Sequence, residues 1–194
     1  MSAILINPFE VPEGEDEAFI SEWEEARDFL RERDAYEETR LHRSLAAEAD
    51  YRFVNVATLS ASGGWPEAIA DPDFPGRRMS FTGHPAVYEV VSEDWPDGDE
   101  GIVLINAFEV PVEADDDFIA GWERARDALR AQPGYIATRL HRSIAPNADF
   151  RFVNIARWES PQAFGTALQA PAFQAAAQSI RHPSHPALYE VVRT

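Results

Sequence analysis

The chain is written twice. Leu5-Ile6-Asn7 returns as Leu104-Ile105-Asn106, an offset of 99 residues. Phe9-Glu10-Val11-Pro12 returns as Phe108-Glu109-Val110-Pro111, and Thr39-Arg40-Leu41-His42-Arg43-Ser44 returns intact as Thr138-Arg139-Leu140-His141-Arg142-Ser143. Near the end, His84-Pro85-Ala86-Val87-Tyr88-Glu89-Val90-Val91 matches His185-Pro186-Ala187-Leu188-Tyr189-Glu190-Val191-Val192 at an offset of 101, so the first copy is two residues shorter. A repeat of this length is a whole small domain, not a solenoid unit. The reading is a first domain over 1–93, an acidic linker over 94–101 (Asp94-Trp95-Pro96-Asp97-Gly98-Asp99-Glu100-Gly101) and a second domain over 102–194.

Within each copy the hydrophobic period alternates between strand and helix. A strand runs from Ile4 to Phe9, or Val103 to Phe108. A helix follows with one apolar stripe: Phe19, Ile20, Trp23, Ala26 and Leu30, or Phe118, Ile119, Trp122, Ala125 and Leu129. Two strands come next, joined by a polar turn at Ala47-Glu48-Ala49-Asp50 or Pro146-Asn147-Ala148-Asp149. Helical segments and a final strand close the copy. The order βαββαβ predicts a ferredoxin-like unit, α+β in class, with one sheet face under helices and the other bare. Two such tandem units can bury their bare faces on each other, so the predicted architecture is an intramolecular pseudo-dimeric α+β barrel.

Composition narrows the function. The net charge is -17 and every basic residue is arginine, which argues against nucleic acid or an anionic membrane as partner. Without cysteine there is no disulfide, thiolate nucleophile or Cys-ligated metal. No apolar run approaches a membrane span, and the start lacks a signal-peptide pattern, so a soluble, cytoplasmic protein is expected. His182-Pro183-Ser184-His185 is a poor metal motif, because the intervening proline keeps the two histidines off one helix face. No metal site is predicted.

The chemistry-bearing stretch is Arg151-Phe152-Val153-Asn154-Ile155-Ala156-Arg157-Trp158-Glu159-Ser160-Pro161-Gln162-Ala163-Phe164. It reads as a strand turning into a helix at Ser160-Pro161. Asn154 sits mid-strand, where a buried amide needs partners from the fold or from a ligand. Trp158 and Phe164 place two aromatics round the corner. The first copy keeps the asparagine as Asn55 but has Leu59 in place of the tryptophan. It then reads Gly63-Gly64-Trp65-Pro66 and Phe74-Pro75-Gly76, which weakens its helices and marks it as a degenerate partner supporting a working second copy.

With those residues in view, the chain resembles the antibiotic biosynthesis monooxygenase family of the dimeric α+β barrel superfamily. The resemblance covers nearly the whole chain as two tandem domains and is most specific in the second. In members acting on aromatic polyketides, an asparagine, a tryptophan and a tyrosine line the substrate pocket. By position these become Asn154, Trp158 and Phe164, and the last lacks the hydroxyl. A helix arginine of those enzymes also has no counterpart, since the region reads Gln174-Ala175-Ala176-Ala177-Gln178. Haem-degrading relatives use a first-strand asparagine, matched by Asn7 and Asn106, but their tryptophan and haem-ligating histidine fall at about Ala167 and Ala177.

The resemblance therefore implies a monooxygenase that needs no flavin, haem or metal and uses O2 to oxidise a small polycyclic, polyketide-like aromatic, from anthrone or phenol to quinone. Asn154, Trp158 and His185 are the catalytic candidates. Phe164, Asn106, His141 and Phe173 are the substrate-binding ones, and Asn55, Trp65 and Asn7 are their first-copy counterparts. His141 and His185 enter as bases by titration range alone. The alternatives are a non-catalytic binding or scaffold protein of the same fold and a non-oxidative cyclase or isomerase. Exposed sheet edges leave further homo-oligomerisation open.

Overall fold

The computed structural model describes residues 3–61, 63–96, 98 and 100–194, so Asp97 and Asp99 of the predicted linker lie outside the described residues. The chain forms two compact units. Unit one is Met1–Glu89 with Val191–Thr194, and unit two is Val90–Glu190.

In unit one the strands are β1 (Ile4–Glu10), β2 (Tyr36–Ser44), β3 (Phe53–Leu59), the two-residue β4 (Thr82–Gly83) and β5 (Ala86–Asp94), whose last five residues count with unit two. β3 lies between β1 and β2, and β1 pairs on its other side with β4 and β5, all antiparallel. The helices are α1 (Asp16–Arg31) and α2 (Gly64–Ala70), followed by a single 3-10 turn at Pro75–Arg78. The α1 stripe is buried as its spacing predicts: Phe19, Ile20, Trp23, Ala26 and Leu30. Phe19 stacks on Phe53 at 4.5 Å and meets Phe9 edge-on at 4.8 Å, which ties helix to sheet. Val192 from the end of the chain packs on this cluster.

Unit two repeats the plan with β6 (Ile102–Phe108), α3 (Asp115–Arg130), β7 (Tyr135–Ser143), β8 (Phe152–Trp158), α4 (Pro161–Ala167), α5 (Pro171–Ala177) and β9 (Ser184–Arg193). β8 lies between β6 and β7, and β9 pairs with the other edge of β6. Phe118 stacks on Phe152 at 4.5 Å, as Phe19 does on Phe53. Arg151 binds Asp115 at the start of α3, as Arg52 binds Asp16 at the start of α1. Each copy is thus a ferredoxin-like α+β unit.

The copies part after the third strand. Ser160 caps α4, its hydroxyl accepting from the Ala163 N–H at 3.1 Å, with Pro161 at the first turn. In the first copy Gly63 takes φ +81, where a cap side chain would be strained, and no side chain caps α2. Where the second copy has α5 packed on α3, the first has only the 3-10 turn on α1. The glycines and Pro75-Gly76 shorten the helical layer as expected.

Candidate active site

The site is built on the helix-side face of the sheet. Side chains alternate along a strand, so Asn154, Ala156 and Trp158 of β8 share one face. Register brings Asn106 of β6 opposite Asn154, Leu104 opposite Ala156 and Ile102 opposite Trp158. Directly opposed residues have Cβ atoms about 5 Å apart, so the two asparagine amides are neighbours.

A threonine orients one of them. Thr138, diagonal to Asn154 across β7, donates its hydroxyl to Asn154 Oδ1 at 2.7 Å. That occupies the amide carbonyl and leaves the NH2 of Asn154 as a donor. Across from it, the Oδ1 of Asn106 is buried with no partner, and so is the indole Nε1 of Trp158. Trp158 is fully buried, with Phe164 tilted against it at 5.3 Å and Tyr135 edge-on at 5.6 Å. A register shift between Tyr135 and Ala137 turns Tyr135 into this cluster. Burial, and then the Asp94 carboxylate that accepts a hydrogen bond from its hydroxyl, push the Tyr135 phenol above its ordinary range. It is no base at neutral pH. Phe173 sits half-buried on α5.

The histidines are not on this face, which corrects the expectation of a base at His141 or His185. His141 is register partner to Val153, and His185 to Ala107. Both positions are odd with respect to the asparagines, so both side chains leave from the opposite face. His141 Nδ1 lies 3.1 Å from the Val153 carbonyl; only a protonated nitrogen can donate there, so Nδ1 carries the hydrogen. Burial drives its pKa down to about 4. His185 binds Glu109 at 2.9 Å and packs edge-on against Phe150. Both have first-copy twins: His42 on the Val54 carbonyl and His84 on Glu10.

In the first copy the same face is open. Asn7 opposes Asn55, and Thr39 donates to Asn55 Oδ1 at 2.8 Å, while Asn7 Oδ1 is buried without a partner. Here a cavity of about 310 Å³ lies between sheet and helices. Asn7, Asn55 and Thr39 line its sheet side, Trp23 and Arg27 its α1 side, and Trp65, Phe74 and Met79 the rest. The first copy has a 3-10 turn where the second has α5, and Gly76 of that turn and Met79 just after it line the cavity. Gly83 borders it because a Cβ there would meet Asn7 Oδ1 and the Phe9 ring, each at 2.9 Å. The sequence reading of the first copy as a mere support did not anticipate this cavity. It also passed over Thr39 and Thr138, whose signal was their retention close to the retained histidines.

Among the described residues no cluster of three or more His, Asp or Glu could hold a metal ion, and no helix is long and apolar enough to cross a membrane. At the positions matched to haem-site residues, Ala167 is buried in the Trp158 cluster and Ala177 ends α5, and neither side chain can ligate iron.

Residues 101–179 match the family model of the antibiotic biosynthesis monooxygenases. Among solved structures, the chain is similar to an anthrone oxidase-like protein at TM-score 0.78 and 16% identity, over 99% of this chain and 92% of that one. A monooxygenase-like protein from Listeria innocua matches at TM-score 0.55 and 12% identity, over 100% and 95% of the two chains. The haem-degrading enzyme LmHde from Listeria monocytogenes matches at TM-score 0.52 and 15% identity, over 97% and 98%. At these identities the likeness is one of fold. No curated protein sequence matches.

Proposed function

We propose that this chain, which belongs through its second half to the antibiotic biosynthesis monooxygenase family, is a cofactor-independent monooxygenase that oxidises a polycyclic aromatic ketone or phenol with O2. The observation that carries the reading is the pair of buried unpartnered groups, Asn106 Oδ1 and Trp158 Nε1, on one face with the oriented amide of Asn154. A buried polar atom without a partner costs about 1–3 kcal/mol, so a ligand that supplies the partners is favoured there.

Asn154 and Trp158 share one face of β8, with Phe164 and Tyr135 packed on the indole. A ligand that bonds the amide and the indole N–H is an oxygen-bearing molecule that packs against aromatic rings, as fused aromatic ketones and phenols do. The substrate enters as an acidic benzylic or phenolic compound. Its carbanion or phenolate passes one electron to O2, and the radical pair joins at carbon as a peroxide. Loss of water leaves the carbonyl, so that one ring methylene and one dioxygen molecule become one ketone and one water. The Asn154 NH2 and the Trp158 N–H hold the oxygens on which negative charge grows, and the surrounding aromatics exclude water.

None of the residues named on this face is a base at neutral pH, so the substrate must ionise by its own acidity. That same feature, with Phe164 where a tyrosine is expected, favours a second reading in which the pocket binds without oxidising. O2 uptake by chelator-treated, flavin-free protein with 1,8-dihydroxy-9-anthrone separates the two. The oxygenase reading expects uptake and a product with one oxygen more and two hydrogens fewer, both lost in Asn154→Ala. Binding of the anthrone with no uptake beyond the rate in buffer leaves the binding reading.

A further inference from the structure

We propose that α5 and the turn after it, residues 170–181, form a lid over the second-copy site that swings off α3 to admit a ligand. The proposal rests on the reading of that face as a ligand site and adds the way in. The site is shut in this structure. Asn106 Oδ1 and Trp158 Nε1 are buried, and so is Asn154. No molecule bonds these groups until some part of the helical layer moves.

Three helices make that layer in the second copy, and they are held unequally. α3 buries Phe118, Gly121, Trp122 and Ala125. α4 buries Ala167, lays Phe164 on Trp158 and is capped by Ser160. α5 has seven residues, none of them buried, and no side chain caps it. Among the described residues, no hydrogen bond or ion pair from 171–181 reaches another helix or strand. Ser179, Ile180 and Arg181 bond only to the carbonyls of Ala176, Ala177 and Gln178. Lifting the segment therefore breaks no polar link to the rest of the unit, and lids are drawn from such weakly held elements.

What holds the segment is apolar and lies at its far end. Ile180 packs on the Phe118 cluster, and the His182 ring just beyond meets Phe118 edge-on at 6.0 Å. Gly121 of α3 makes the close fit: a Cβ there would stand 3.2 Å from Ser179 Oγ and 3.6 Å from Ile180 Cγ1. The first copy shows what such a segment covers. Phe74 corresponds to Phe173 at the offset of 99, and Met79 and Phe81 correspond to Ile180 and His182 at 101. Phe81 packs edge-on against Phe19 as His182 does against Phe118. Phe74, Met79 and Phe81 line one cavity with Asn7 and Asn55. By that correspondence the segment of the second copy stands over Asn106 and Asn154.

The test is a disulfide that fastens the lid. Ser179 Oγ lies 3.2 Å from the position of a Gly121 Cβ, with its own Cβ one bond away, close to the roughly 3.5–4.5 Å that a disulfide spans between Cβ atoms. The chain has no cysteine, so the pair in Gly121→Cys/Ser179→Cys meets no competing thiol. Opening is read first without ligand, as deuterium exchange of the Asn154 side-chain amide followed by NMR, with the β8 peptide N–H groups as the measure of global unfolding. Oxidation should slow the side-chain exchange at least tenfold more than the peptide exchange, and dithiothreitol should restore it. Gly121→Val, which wedges the segment off α3, should speed the same exchange, and serves if the cysteine pair does not fold. Anaerobic 1,8-dihydroxy-9-anthrone then tests passage: added before oxidation it should stay bound through gel filtration, and added afterwards it should not enter. Asn154 amide exchange that is equal in the two redox states, or that slows only in step with the β8 peptide groups, would overturn the lid. So would anthrone entering the oxidised protein as fast as the reduced. The exchange measurement needs neither substrate nor O2, so the lid and the oxygenase reading fail separately.

Discussion

Between pH 7 and pH 4.5 two histidines turn from neutral packing groups into a load on the fold. His42 and His141 are buried, each spending its Nδ1–H on a valine carbonyl. Burial, against the smaller help of that bond, holds both pKa values at about 4, compared with 6.5 for an exposed histidine; Arg40 and Arg139 push the same way. The folded pKa lies below the unfolded one. Between those values the unfolded chain binds more protons, so stability rises with pH and is complete above 6.5. Descending from 6.5 toward 4, each histidine costs about 2.5 kcal/mol by pH 4.5 and about 3 once both states are protonated. One histidine sits in each unit, so each unit loses about 2.5 kcal/mol and the chain as a whole about 5, a sizeable share of the roughly 5–15 kcal/mol that stabilises an ordinary domain. Urea unfolding at pH 7 and pH 4.5 measures it, with His42→Asn/His141→Asn as the control. Asparagine keeps a donor for the carbonyl but does not titrate. The double variant should start less stable at pH 7 for lost packing, yet lose about 5 kcal/mol less on acidification. A drop as large as the parent's would refute the assignment.

Trp158→Phe keeps an aromatic ring but removes the indole N–H and some buried volume; it should lower kcat for anthrone oxidation ten- to a hundredfold and the thermal midpoint by a few degrees. Thr138→Val frees the Asn154 amide to turn and should lower kcat by a similar factor, with Thr138→Ser restoring it in the same assay. Gly101 has φ +90, and a Cβ there would run into the Trp158 carbonyl, so Gly101→Ala should lower the thermal midpoint by several degrees. Arg157 is buried, donates to the carbonyls of Pro96 and Gly98 and lies 4.9 Å from the Trp95 ring centroid. Arg157→Met should therefore speed protease cleavage within 94–101, and an unchanged rate would show that the guanidinium does not pin that segment.

How much was legible differs from residue to residue. The α1 and α3 stripes, the hairpin turns, the Ser160 cap and the weak helices of the first copy are local, and spacing alone predicts them. Asn154 and Trp158 stood out because an amide in an apolar strand and an aromatic missing from one copy are visible in one dimension. The histidines misled because their face depends on strand register, which pairs His141 with Val153 and not with an asparagine. Tyr36 and Tyr135 reach the helix side through a register irregularity that no periodicity announces. The cavity lies beside the shorter helical layer of the first copy, a property of packing and not of pattern.

The bounds of the two units carry a consequence for how such a chain can be taken apart. Val90 to Asp94 lie at or before the start of the linker yet count with unit two, where Ser92 accepts from Arg126, Glu93 pairs with Arg139 and Asp94 pairs with Arg130. Val191–Thr194 end the chain yet count with unit one, where Arg193 pairs with Glu24 and the Thr194 carbonyl accepts from Arg27. A nick in the linker would therefore not yield two independent products. Each fragment would carry away a few residues belonging to the other's fold, and neither gene half would encode a complete one. Duplicated genes commonly drift apart by losing one member. Here deletion of either half would also strip a few residues from the unit that survives.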